Sequence, residues 1–375
     1  MIDPSDFYNF LKENKIQFYC GVPDSLLKDI CSYITDNVDP ENNVITSNEG
    51  AAIALGAGYH LATNKIPLIY MQNSGLGNAV NPLLSLADKN VYSIPMLLMI
   101  GWRGEPGIKD EPQHFTQGEV TLKLLDTMKI PYEIIPENFI EACAVLKKCI
   151  DFITLNKTPI SLIIRKNIFK SYKLQKIIST NFEMNREDAV KLIIDSLDNN
   201  DIVVSTTGKT SREVFEYREE LNHGHKNDFL TVGSMGHSSQ IALGIAKEKY
   251  NRDVYCIDGD GAILMHTGSL GIIGQLSLTN FKHIIINNGS HDSVGGQPTI
   301  GFDIKFTNIA KEFNYKQVFY AESRLGLVQE MDKLKKAKGP AMLEIKVNKG
   351  ARFDLGRPTT SPIENKLDFM NFLSK

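Results

Sequence analysis

A chain of 375 residues, with 42% hydrophobic and 23% charged residues, is typical of a globular enzyme of two or three domains. Its net charge is −3 and its lysines and arginines are scattered, which argues against a nucleic-acid partner or an anionic membrane. An acidic start and the lack of a long apolar run argue against a secretory signal and a membrane span. We therefore expect a cytoplasmic protein.

The cysteines support that expectation. They are odd in number and show no CxxC spacing: Cys20, Cys31, Cys143, Cys149 and Cys256. This pattern favours buried, reduced thiols over a disulfide framework or a zinc site.

From residue 16 onward, short apolar runs alternate with helical patterns, which predicts parallel strands joined by right-handed helical crossovers. The elements predicted for the first half are strand Ile16–Gly21, helix Asp24–Asp36, strand Asn43–Ser47, helix Glu49–Ala62, strand Ile66–Met71, helix Gly77–Asp88, strand Ser93–Ile100, a polar loop Gly101–Gly118, helix Glu119–Met128, strand Tyr132–Ile135, helix Glu137–Ile153 and strand Pro159–Ile164.

A polar segment without periodicity then interrupts the alternation, and it predicts a linker at residues 169–185 between domains 1–168 and 186–375. The elements predicted for the second half are helix Arg186–Leu197, strand Ile202–Thr206, helix Ser211–Leu221, helix Ser238–Tyr250, strand Val254–Asp258, helix Ile263–Leu278, strand His283–Asn287, a glycine-rich loop, and further strands and helices from Lys316 to Val347. The predicted fold class is α/β, with two doubly wound parallel-sheet domains in tandem.

Two polar motifs follow neighbouring strands of the second half. Asp258-Gly259-Asp260-Gly261-Ala262 stands where one strand passes into a helix, and Asn287-Asn288-Gly289-Ser290 follows the next strand. Each motif alone would be read as a turn or a cap. Together they lie at the same edge of a parallel sheet, where one carboxylate, one amide oxygen and one carbonyl oxygen suit Mg²⁺ and a phosphate ligand.

Two further segments are ambiguous when taken alone. Glu49 opens a predicted helix after a strand, where a glutamate also complements the helix dipole. Met235 lies in Gly233-Ser234-Met235-Gly236-His237, and a single methionine is ordinarily a core residue.

In combination these motifs resemble those of the thiamine-diphosphate enzymes. The resemblance implies thiamine diphosphate and Mg²⁺ as cofactors, and Asp260, the Asn288 side chain and the Ser290 carbonyl as metal ligands, with Asn287 as the alternative to Asn288. It implies that Glu49 is catalytic, through a hydrogen bond to N1′ of the aminopyrimidine, and that Met235 lies between the two cofactor rings. The cofactor-binding residues so implied are Glu49, Gly233, Ser234, Met235, Gly236, His237, Gly259, Asp260, Gly261, Ala262, Asn288 and Ser290.

Segments around Asp24, Asn73, Arg103 and Gln297 narrow the resemblance to the phosphonopyruvate decarboxylases, with the sulfopyruvate decarboxylases as nearest relatives. This implies a pyrimidine-binding domain followed by a diphosphate-binding domain, without a middle domain. It also implies a homo-oligomer with active sites between subunits. The reaction implied is decarboxylation of 3-phosphonopyruvate to phosphonoacetaldehyde in phosphonate biosynthesis; sulfopyruvate decarboxylation and ketol transfer are the alternatives.

A substrate carrying an anionic group at C3 requires hydrogen-bond donors beyond those that pyruvate needs. The candidate substrate residues are Ser25, Asp24, Arg103, His114, His291 and Gln297, with Lys109 as a further loop cation. For Ser25 and Asp24, a role as helix N-cap is the alternative.

Overall fold

The computed structural model describes residues 1–176 and 179–375. It consists of two compact units, with the boundary between positions 177 and 178. These two positions belong to the predicted linker, residues 169–185, and lie outside the described residues. Within the first unit Phe169 forms a parallel bridge to Ile2, so the start of the predicted linker packs on that unit. The domain limits 1–168 and 186–375 stay a prediction.

The first unit contains a six-stranded parallel sheet in the order β2-β1-β3-β4-β6-β5. Its strands are β1 Tyr19–Gly21, β2 Asn43–Ile45, β3 Leu68–Gln72, β4 Leu97–Gly101, β5 Tyr132–Ile134 and β6 Ile160–Ile164. Its α-helices are α1 Pro4–Glu13, α2 Lys28–Asn37, α3 Glu49–Thr63, α4 Leu76–Pro82, α5 Pro112–Thr127 and α6 Phe139–Asn156, with short 3-10 turns at Pro40–Asn42 and Asn73–Gly75 and a π-helical turn at Leu83–Ala87.

Helices cover both faces of this sheet, which explains why its central strands are continuous apolar runs. In β4, Leu97 and Met99 face the core beneath α1, α2 and α6. Leu98 and Ile100 face the opposite core beneath α3, α4 and α5.

The second unit repeats this architecture in the order β11-β12-β10-β9-β7-β8, again with parallel pairing. Its strands are β7 Ile202–Ser205, β8 Asp228–Leu230, β9 Val254–Gly259, β10 Phe281–Asn287, β11 Gln317–Ala321 and β12 Ala341–Lys346. Its helices are α7 Arg186–Ser196, α8 Lys209–Glu220, α9 Ser238–Glu248, α10 Asp260–Met265, α11 Ser269–Leu276, α12 Phe306–Glu312, α13 Arg324–Lys336 and α14 Pro362–Leu373. The predicted fold class of two parallel-sheet α/β domains is confirmed.

Several element predictions were wrong in detail. The predicted loop Gly101–Gly118 ends early, because α5 begins at Pro112, whose fixed φ suits the first turn of a helix. The predicted helix Ile263–Leu278 is two helices, α10 and α11, that meet near His266. Helices α1, α12 and α14 and the short strand β8 were not predicted.

The cysteines agree with the expectation of buried, reduced thiols. All five cysteines are free, and four of them are buried. Among the described residues, no helix has the length and apolar character needed to cross a membrane.

Candidate functional site

The metal motif of the second unit lies at the carboxyl ends of two paired strands. Strands β9 and β10 are neighbours in register, with Ile286 opposite Gly259. Asp260 is the first residue after β9, and Asn288 is the first residue after β10. The topology therefore brings together the two residues that the sequence predicted as partners.

The carboxylate of Asp260 is almost completely buried and points toward hydrogen-bond donors. It accepts hydrogen bonds from the Thr299 hydroxyl and from the backbone N–H of Asn288. Burial raises the pKa of Asp260 to about 6, despite these donors. Among the described residues no basic side chain forms an ion pair with Asp260, so the site fits an added cation such as Mg²⁺.

The two asparagines have different surroundings. Asn287 is held on both sides: its Nδ2 donates to the Gly301 carbonyl (2.6 Å) and to Glu344 Oε1 (3.0 Å), and its Oδ1 accepts from the Gly289 N–H (3.2 Å). Asn288 Oδ1 accepts the Ser290 N–H (3.1 Å), and its Nδ2 donates to Asp292 Oδ2 (2.9 Å). The Oδ1 atom of each asparagine therefore has a lone pair left for a metal, and the choice of Asn288 over Asn287 stays a prediction.

The segment after β8 brings Met235 toward the metal motif. Ser234 and Gly236, on either side of Met235, both have left-handed backbone conformations, with φ of 52° and 86°. The Met235 Cε atom lies 3.3 Å from the position of an ideal Cβ on Gly261. A Cβ on Gly259 would meet no atom within 4 Å, so the backbone before Asp260 borders open space.

Other predicted cofactor-binding residues lie in or beside the Met235 segment and the metal motif. The Ala262 carbonyl lies close beneath Gly236, 2.9 Å from its ideal Cβ position. His237 is exposed, and its Nδ1 is 3.2 Å from the Ser234 carbonyl. Gly233 and Ser290 stand at the start of the Met235 segment and in the metal motif, respectively.

The loop after Asn288 contributes two of the predicted substrate residues. The His291 ring lies over Gly261, with Nδ1 3.3 Å from the ideal Cβ position, and burial lowers the pKa of His291 to about 4. Gln297 is buried, and its backbone carbonyl accepts the His291 N–H (2.9 Å). Both side chains are thus fixed beside the metal motif rather than exposed on a free loop.

Lys349 is a candidate that the sequence did not indicate. It follows β12, and its Nζ lies 3.5 Å from the Gly296 carbonyl in the same loop. The Ser290 hydroxyl is buried and without a hydrogen-bond partner among the described residues. It lies on the same side of Gly296 as the Lys349 Nζ atom. Only the strand order places Lys349 here, since β12 is the neighbour of β10.

In the first unit, Glu49 is buried at the start of α3, behind the N-cap Asn48. Its Oε2 accepts a hydrogen bond from Asn78 Nδ2 (2.7 Å). An ideal Cβ on Gly75 would lie 2.6 Å from the Cγ and Cδ atoms of Glu49, so the glutamate fits only because residue 75 is glycine. The carboxylate is therefore held in one position.

Asp24, Ser25 and Arg103 come together at the ends of β1 and β4. Arg103 Nη1 donates to Ser25 Oγ (2.6 Å), and its guanidinium forms a two-point ion pair with Asp110. Asp24 is fully buried; its Oδ2 accepts the Leu26 N–H (2.8 Å), and burial raises its pKa. The N-cap of α2 is Leu27, so neither Asp24 nor Ser25 caps that helix.

The two remaining substrate candidates of this unit differ in exposure. His114 was expected on a loop, but it is buried in the first turn of α5, because the helix begins at Pro112. Lys109 is exposed. The substrate roles of these residues stay predictions.

Both units are similar in sequence to known proteins. A family model described as the thiamine pyrophosphate enzyme N-terminal TPP binding domain matches residues 5–129, and the corresponding C-terminal TPP binding domain matches residues 206–345. A phosphonopyruvate decarboxylase of Streptomyces viridochromogenes is 30% identical over 395 residues, which cover 100% of this chain and 96% of that protein. A phosphonopyruvate decarboxylase of Streptomyces hygroscopicus is 29% identical, with 100% and 95% covered. A sulfopyruvate decarboxylase of Methanosarcina acetivorans is 27% identical, with 87% and 86% covered.

Proposed function

Because the chain belongs to the phosphonopyruvate decarboxylase family of thiamine pyrophosphate enzymes, we propose that it converts 3-phosphonopyruvate to phosphonoacetaldehyde and carbon dioxide. The chain is a thiamine-diphosphate-dependent decarboxylase; the identity of its substrate is the proposed part. The observation that carries the proposal is the full-length similarity to phosphonopyruvate decarboxylases, together with the presence of Glu49 at the start of α3 and of Asp260 and Asn288 at the ends of β9 and β10. Such an enzyme would serve phosphonate biosynthesis.

The residues present suit the cofactor and its metal. Bound thiamine diphosphate supplies an electron sink when the carboxylate of a 2-oxo acid leaves. Asp260, Asn288 and the Ser290 carbonyl would hold Mg²⁺, an ion that prefers oxygen ligands and retains phosphate and water in its shell. Met235 would pack against the cofactor rings. Glu49, fixed by Asn78 and Gly75, would share a proton with the ring nitrogen N1′.

The phosphonate of the substrate needs positive charge and hydrogen-bond donors. Lys349, His291 and Gln297 lie on or beside the loop that follows Asn288, and Lys349 is the only permanent cation of the three. Arg103 is already paired with Asp110, so its charge is largely compensated within the first unit. This supports Lys349 as the principal phosphonate contact, with Arg103 and Ser25 as further candidates.

Sulfopyruvate is the second candidate substrate, because the sulfopyruvate decarboxylase of Methanosarcina acetivorans matches most of this chain. Carbon dioxide release from phosphonopyruvate, sulfopyruvate and pyruvate, each with thiamine diphosphate and Mg²⁺, separates the two. We expect the highest kcat/KM for phosphonopyruvate. A higher value for sulfopyruvate would replace the proposed substrate while leaving the cofactor chemistry intact.

We further propose a homo-oligomer in which Glu49 of one subunit and Asp260 of another serve the same active site. Mixed refolding of two inactive variants, Glu49→Gln and Asp260→Ala, tests this. In a dimer, half of the molecules would be hybrids with one intact site of two, so about a quarter of the wild-type activity should return. No recovery in mixed oligomers would show that both residues must come from one chain.

A further inference from the structure

The predicted metal ligand Asn288 donates a hydrogen bond to a buried network of charged side chains. Its Nδ2 donates to Asp292 Oδ2 (2.9 Å), and the same oxygen accepts from Arg186 Nη1 (2.9 Å) and from the Gly350 N–H (2.9 Å). Arg186 forms a two-point bond with Glu213, at 2.8 and 2.9 Å. The exposed fractions of the side chains are 7% for Arg186, 0% for Glu213 and 8% for Asp292.

The consequence for Asn288 follows from the chemistry of an amide. A carboxylate can only accept hydrogen bonds, so Asp292 must face the amide nitrogen and not the amide oxygen. The oxygen Oδ1 is thereby turned away from Asp292 and toward Ser290, another predicted metal ligand, whose N–H it accepts. With the opposite orientation an N–H₂ group would face the cation.

The residues of this network lie on separate elements, so the network depends on the fold of the whole unit. Arg186 is the first residue of α7, Glu213 lies in α8, and Gly350 follows β12. The backbone near Arg186 is itself fixed, because Asn185 and Asn348 form a parallel bridge. Arg186 is shared by both ion pairs, so the network of one guanidinium and two carboxylates carries a net charge of −1.

We propose that Asp292, supported by Arg186 and Glu213, is a positioning residue that fixes the amide of Asn288 for Mg²⁺. This inference rests on the proposed function, since it concerns the metal of that same site. Removal of a residue that hydrogen-bonds to a metal ligand typically weakens the metal affinity by about 10- to 100-fold.

The test is the variant Asp292→Ala, which removes the oxygen that accepts from Asn288 Nδ2. Asparagine would not serve, because its amide oxygen could accept the same hydrogen bonds. Asp292→Ala leaves the Arg186–Glu213 pair intact, so Arg186 keeps a charged partner and the protein should fold. Calorimetric titration of Mg²⁺ into protein saturated with thiamine diphosphate should show an affinity about 10- to 100-fold weaker than wild type. At saturating Mg²⁺, kcat should return to within about threefold of wild type, because the residue orients a ligand and takes no part in the chemistry.

Asp201→Ala is the matched control. Asp201 is also a buried carboxylate of the second unit, but it precedes β7 and so lies at the amino ends of the strands, opposite the metal motif. Its substitution should leave the Mg²⁺ affinity unchanged. A general loss of stability would affect both variants, whereas a positioning role affects only Asp292→Ala.

The outcomes separate the two proposals. If wild-type protein binds the cofactor with Mg²⁺ and Asp292→Ala binds Mg²⁺ equally well, the positioning role is wrong and the proposed function stands. If the wild type shows no Mg²⁺-dependent cofactor binding, the proposed function fails and this inference with it. Should Asp292→Ala not fold, the double variant Arg186→Met/Glu213→Gln removes the supporting pair as a unit and leaves Asp292 on Asn288; an unchanged Mg²⁺ affinity there overturns the role of the supporting pair.

Discussion

Replacing Gly75 by alanine should displace the carboxylate that we expect to activate the cofactor. An ideal Cβ at this position lies 2.6 Å from the Cγ and Cδ atoms of Glu49, whereas ordinary van der Waals contact begins near 3.4 Å. The glutamate must therefore move by about 0.8 Å, the difference between these distances. Gly75 has a φ of −70°, which alanine also adopts, so the effect is steric and not a backbone strain.

A displacement of about 1 Å in a reacting constellation can lower the rate about 100-fold. We therefore expect kcat for carbon dioxide release from phosphonopyruvate to fall by about that factor, while cofactor binding through the other unit persists. Gly77→Ala is the control, because a Cβ there meets no atom within 4 Å in an exposed turn of α4, and alanine favours a helix. A Gly75→Ala enzyme with kcat within about threefold of wild type would refute the claim that Glu49 must occupy its observed position.

Three further predictions concern the remaining contacts. Gly301→Ala places a Cβ 2.6 Å from both Asp260 Oδ2 and Asn287 Oδ1, and should raise the Mg²⁺ concentration for half-maximal activity about tenfold; an unchanged requirement would argue against a metal site at the ends of β9 and β10. Lys349→Met should raise KM for phosphonopyruvate far more than for pyruvate, and an equal effect on both would exclude a phosphonate contact. Partial burial acts to raise the pKa of Asp110, but hydrogen bonds from Arg103 and from backbone N–H groups lower it below its ordinary value. The stabilisation is therefore present above about pH 4 and lost as the pH falls further, so the stability difference between wild type and Asp110→Asn in urea should shrink from pH 5 to pH 3; a constant difference would contradict the ion pair.

The sequence was sufficient to predict the fold class and the placement of three candidate residues at strand ends. Asp260 and Asn288 follow buried apolar strands, and parallel pairing alone brings their strand ends to one edge. Glu49 was placed as the first helical residue after a strand, which the structure confirms, whereas its catalytic role came from the family resemblance. The placements depend on short local patterns and a general rule of sheet topology, and the roles of the three residues stay predictions.

The supporting residues could not be predicted in this way. The contacts of Asp292 with Arg186 and of Lys349 with Gly296 join segments that are distant in the chain, and they depend on the order of strands in the sheet. His114 was misplaced on a loop because the helix start at Pro112 lies in a polar segment without apolar periodicity. Local patterns carry no information about such long-range pairs.

The proposed reaction can be followed directly by phosphorus NMR. Purified protein with thiamine diphosphate and Mg²⁺ should replace the phosphonopyruvate resonance by that of phosphonoacetaldehyde, and Asp260→Ala protein under the same conditions should not. Removal of Mg²⁺ by a chelator should stop the wild-type reaction as well. Unchanged phosphonopyruvate in the presence of both cofactors, with protein that turns over another 2-oxo acid, would contradict the proposed substrate.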